Sequence, residues 1–195
     1  MEQSDAWHGG LDEVMKQFEK IHGSSATLLR EIEAATDSFL ARLPMPGVSF
    51  LGGETSKNAY RVLCSFLLLF EAKKNQLQIN LLKAAEMRER LARLYVRHTH
   101  DLLVESKKQE ESDGIEDRAI LSRLLQWTDR LSQLTCDFFN RFLCALNEAS
   151  DAENDGKRCN IQKVVSLCGA LRQEVKSTGA ELGSIQLSFC KYGGA

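Results

Sequence analysis

Four long stretches of this chain place apolar or small residues three and four positions apart, over and over, with almost nothing in them that breaks a helix. A side chain that returns to one face every 3.5 residues describes a helix seam, because strands repeat every two. Only two prolines occur, Pro44 and Pro46, both in one short segment. Proline is the residue that most strongly stops a helix, at about 3 kcal/mol or more. With its prolines confined there, the rest of the chain is left to long helices.

The first stretch covers residues 11–43, with Leu11, Val14, Phe18, Ile21, Ser25, Leu28, Ile32, Ala35 and Phe39 on its seam. Gly23 stands in the middle, and an interior glycine costs about 1 kcal/mol relative to alanine, so a kink is expected there. Residues 1–10 are expected to be a flexible N-terminus ahead of it. The segment 44–58, PMPGVSFLGGETSKN, reads as a loop, rich in turn residues and ending in a Thr55/Ser56 pair suited to capping. It carries Val48, Phe50 and Leu51, which a solvated linker does not need.

The second helix is expected over 56–108, with no proline or glycine inside. Its seam runs through Tyr60, Leu63, Leu67, Phe70, Lys74, Leu77, Leu81, Ala84, Arg88, Leu91, Tyr95, His98 and Leu102. Such a helix spans about 75 Å at 1.5 Å per residue, a length suited to a rod. A polar connector, with Asp113 as the expected cap, leads to a third helix over 114–149. There Leu121, Leu124, Thr128, Leu131, Thr135, Phe138, Phe142, Ala145 and Ala149 form one stripe, widened by Leu125, Phe139 and Leu146. After an acidic connector, a fourth helix over 158–190 carries Val164, Cys168, Leu171, Val175, Thr178, Leu182 and Ile185. Gly169, Gly179 and Gly183 soften it, so its last third is expected to fray, and 191–195 to be a flexible tail. The reading is an all-α fold: one domain over 11–190, an elongated bundle of about four long antiparallel heptad-patterned helices.

Charge and cysteine content narrow the function. A formal net charge of -2 gives no global field toward nucleic acid. The most apolar run, Val62 to Phe70, is too short to span a bilayer, and MEQSDAWHGG lacks the basic-then-apolar pattern of a signal peptide. The cysteines at 64, 136, 144, 159, 168 and 190 form no CxxC motif and are expected to be reduced thiols in an intracellular, cytoplasmic protein.

Candidate chemistry is sparse. In RHTHD, His98 and His100 are two apart and face away from each other on a helix, while His98 and Asp101 make only two ligands. Glu19-x-x-His22 matches half of a carboxylate di-metal motif and has no second copy. The LGGETS segment lacks the GK[ST] ending of a phosphate loop. No histidine forms a recognisable motif with a cysteine or serine. The expectation is no cofactor, no metal and no enzyme.

Two surfaces stand out instead. From Lys83 to Arg97 five basic residues face two acids, and Arg90, Arg93 and Arg97 share a face that could meet anionic lipid or an acidic protein. At the start of the second helix, YRVLCSFLLLF is apolar all round, and a helix apolar on every side must be covered on every side. Val62, Phe66 and Leu69 lie off the seam there and, with Val48, Phe50 and Leu51, are the expected partner interface. The polar seam residues Lys74, Arg88 and His98 fit a protein selective about its partners. The functional expectation is a non-catalytic helical interaction protein, an adaptor or complex subunit with helical partners or a homodimer. A membrane-surface protein binding anionic lipid is the alternative, and a helical enzyme the remote one.

Overall fold

The computed structural model of the chain describes residues 2–43, 53–104, 113–151 and 161–190. Among them the fold is all-α: every one is helical except Leu43, and no strand occurs. The elements are α1 (Glu2–Arg42), α2 (Gly53–Val104), α3 (Asp113–Ser132), a π-helical segment (Gln133–Phe138), α4 (Phe139–Asp151) and α5 (Ile161–Cys190). The α3, π and α4 segments follow one another without a non-helical residue between them.

Several expected boundaries move. In the segment expected to lead into the first helix, α1 already begins at Glu2 and passes straight through Gly9 and Gly10. Packing explains why a glycine serves at position 10: a Cβ there would lie 3.1 Å from Leu94 Cδ1, so its absence lets the two helices approach. Gly23 does not interrupt α1 either, and the last third of α5 is helical through Cys190. The loop expected over 44–58 gives way to helix at Gly53. The rest of that loop, both connectors and the 191–195 tail lie outside the described residues.

The chain divides into two compact units. Unit 1 comprises Met1–Ala26, Ile79–Leu131 and Ala180–Ala195. Its interior holds Val14 and Phe18 from α1, Ala84, Met87 and Leu91 from α2, Leu124, Trp127 and Leu131 from α3, and Leu182 from α5. Gly10 meets Leu94 and Ser24 meets Asn80, so one position falls as the other rises, the signature of antiparallel neighbours. The Asn80 amide donates to Ser24 Oγ at 3.0 Å and to Ser25 Oγ at 3.1 Å, which satisfies a buried polar group that would otherwise cost about 1–3 kcal/mol.

Unit 2 comprises Thr27–Gln78 and Ser132–Gly179. Its interior is an aromatic run. Phe39 stacks on Phe66 with centroids 4.6 Å apart, and Phe70 meets Phe139 at 4.9 Å and Phe142 at 5.1 Å. Such pairs contribute roughly 0.5–1.5 kcal/mol each beyond the area they bury. Ion pairs tie the rim: Lys73 with Glu31 at 2.6 Å, and Arg172 with Asp37 at 3.2 Å.

The inward line of α2 is not the one the seam suggested. Leu63, Phe70, Leu77, Ala84 and Leu91 are buried as expected, but Phe66, Asn80 and Met87 complete the line. Leu67, Lys74, Leu81 and Arg88 are half-buried on the other side of it. Lys74 and Arg88 keep their charged ends toward polar partners, Lys74 donating to Asn140 Oδ1 and Arg88 to Thr128 Oγ1 at 3.5 Å. A similar shift follows the π segment. There the Phe139 N–H reaches back five residues to Leu134 O, and the extra residue in the wider turn moves the inward frame after it by one position. Of the two expected stripes, Phe139 and Leu146 of the second are therefore fully buried, Phe138 and Ala145 of the first only half-buried, and Leu125 is exposed.

Candidate functional site

The groups that could carry chemistry are dispersed. His22 is buried in unit 1, where its Nδ1 accepts the indole N–H of Trp127 at 3.2 Å. Phe18 packs edge-on against Trp127 with centroids 5.3 Å apart. Desolvation by burial holds His22 below the ordinary histidine value. As an acceptor at Nδ1, the neutral ring carries its proton on Nε2. Glu19, its partner in the sequence motif, is exposed, so the two do not face a common point. His100 is exposed, while the side chains of His98 and Asp101 lie outside the described residues. Among the described residues no group of three or more His, Cys, Asp or Glu side chains could hold a metal ion.

The described cysteines are free thiols: Cys64 half-buried, Cys136 and Cys144 exposed, Cys168 buried. Burial pushes the Cys168 thiol up to about 12, so it is an inert apolar filler and not a nucleophile.

The expected interface residues separate. Val48, Phe50 and Leu51 lie outside the described residues. Of the stripe on α2, Val62 is half-buried and Leu69 is 46% exposed. Phe66 is only 5% exposed and stacks on Phe39, so it belongs to the intramolecular core and not to a free surface. The reason lies in the shifted inward line: position 66, three residues after Leu63, turns toward α1. Leu68, which the sequence reading passed over, is 71% exposed on the side of α2 away from the core. Among the described residues, the exposed large apolar side chains of α2 in unit 2 are thus Tyr60, Leu68 and Leu69.

In unit 1, Arg90, Arg93 and Arg97 are all exposed, as is Lys83. Arg93 pairs with Glu89 one turn back. The same side of the helix bears Ile79, Leu82 and Val96, the last two 65% and 64% exposed. The signal for these residues was present in the sequence: Ile79, Leu82, Glu86, Glu89, Arg93 and Val96 also follow at threes and fours. It is a second line opposite the buried one, and charged residues in it hid its apolar members.

Among the described residues no helix is long and apolar enough to cross a membrane. Comparison with known proteins returns no matching family model, and no significant match among curated proteins or solved structures.

Proposed function

We propose that this chain is a non-catalytic helical-bundle interaction protein, an adaptor or subunit of an intracellular complex, that receives a helical partner on the outward side of α2. The observation that carries this reading is Leu68, 71% exposed on a helix whose opposite side is already filled by Leu63, Phe66 and Phe70. Its neighbour Leu69 is exposed as well. Single exposed leucines are ordinary, but adjacent ones on a helix that already has a full buried line favour a covering partner. Free thiols at Cys136 and Cys144, both exposed, favour a reducing compartment.

The test is Leu68→Glu with Leu69→Glu in the full chain, with partners cross-linked in the native cell and self-association followed by sedimentation. The expected result is loss of a specific partner, or of a dimer, with helicity retained. Unchanged association in both assays overturns the reading. A second reading, binding to an anionic membrane surface, has the exposed Arg90, Arg93 and Arg97 in its favour. Co-sedimentation with acidic and neutral vesicles decides it.

A further inference from the structure

We infer that the unit 1 part of α2 is the docking line for an amphipathic helix bearing a row of carboxylates; this rests on the interaction reading above and names the partner's chemistry. Ile79, Leu82, Glu86, Glu89, Arg93 and Val96 follow at three- and four-residue steps, and every one is exposed. Beside that line stand Lys83, Arg90 and Arg97, seven residues apart and all exposed. No ion pair joins these three to another of the described residues. On the opposite flank Ala85 and Ala92 are half-buried, and the one cation between them, the half-buried Arg88, is turned to Thr128. The face is therefore one-sided: apolar toward its two ends, ionic in the middle, and basic along a single edge.

A second helix laid along this line repeats at the same seven-residue interval, about 10.5 Å, so one row of its acidic side chains meets all three basic ones. A second copy of this chain fits badly. An antiparallel pair about a two-fold axis sets the basic edge against itself, and a parallel pair sets Arg93 on Arg93 and Glu86 on Glu86. A bilayer fits badly too. Glu86 and Glu89 lie on the centre of the line between Leu82 and Val96, where membrane contact would desolvate them. A protein helix can oppose Glu86 with a base and leave the Glu89–Arg93 pair intact.

The experiment titrates the full chain with three probes: a synthetic helix with a leucine seam and glutamate on its flanks, the same peptide with lysine in place of glutamate, and phosphatidylcholine vesicles with and without phosphatidylserine. The acidic peptide is expected to bind in a salt-sensitive manner, and the lysine peptide roughly tenfold more weakly or worse. The triple variant Lys83→Glu, Arg90→Glu, Arg97→Glu is expected to reverse that preference while its circular dichroism stays that of the wild type, since all three positions are exposed. Equal binding of both peptides, binding of neither, retention by phosphatidylserine vesicles in preference to the acidic peptide, or wild-type self-association through this edge would each overturn it. If the acidic peptide fails while Leu68→Glu with Leu69→Glu still abolishes partner capture, this inference falls and the interaction reading stands.

Discussion

The indole N–H of Trp127 donates a hydrogen bond to Nδ1 of His22 in a site where both rings are buried. Protonating His22 would turn that acceptor into a second donor and place a charge among aromatic rings. The unfolded chain, with the ordinary value of 6.5, takes up this proton more readily than the folded one. Wherever the unfolded state binds more protons, stability rises with pH. The His22 contribution is thus complete above pH 6.5 and is lost as the pH falls below it toward the lowered folded value. Urea unfolding at about pH 7.5 and about pH 5.5 should show a smaller fall in stability for His22→Gln than for wild type, since glutamine accepts the bond without titrating. Identical pH slopes would show that His22 does not couple to folding. The sequence offered His22 as half of a metal motif and left Trp127 unremarked. A single seam through Ile21 and Ser25 misses residues such as His22 and Leu29, which become buried only because α1 has neighbours on more than one side.

On α5 the seam from Val164 to Leu182 is buried residue for residue as the sequence suggested, because an uninterrupted helix keeps its phase. On α3 and α4 the phase changes at the π segment, and no residue type among Gln133–Phe138 announces a wide turn. Two adjacent phenylalanines report which frame holds. Phe139 is fully buried against Phe70, whereas Phe138 is only half-buried. Phe139→Ala should cost about 3–5 kcal/mol in chemical denaturation. Phe138→Ala should cost less than half as much; the reverse order would return the helix to a regular α frame. On α2 the same contrast applies: Phe66→Ala should destabilise by about 3–5 kcal/mol. Leu68→Ala, being at the surface, should change stability by no more than about 0.5 kcal/mol.

For the whole chain, the fold class was legible because heptad spacing and confined prolines both exclude strands of useful length. Circular dichroism should accordingly show a helical spectrum without a strand component; strand content near the ~20% of ordinary globular proteins would contradict it. The docking face was only half legible. Periodicity reports which side of a helix is buried, but α2 carries two such lines, and the pattern alone does not say which is inside its own fold. Phe66, expected at a partner interface from its place off the seam, stacks on Phe39 instead. Arg90, Arg93 and Arg97, grouped by their spacing, are all exposed.

A seven-residue repeat is indifferent to its own multiples. Sliding α2 along α1 by one heptad would set leucines and phenylalanines against similar partners, and apolar contact alone would scarcely register the error. Asn80 does register it. In place, its amide reaches Ser24 and Ser25; one heptad away along unit 1 it would lie level with Gln17 and Phe18, where the buried Phe18 ring in the place of Ser25 offers no acceptor for the inner bond. The asparagine thus acts as an index mark on an otherwise repeating scale. Asn80→Leu should leave the melting temperature equal or higher, yet broaden the amide NMR signals around Ser24 and Ser25 as shifted alignments become populated. A single sharp set of signals in the variant would assign the alignment to the aromatic packing instead.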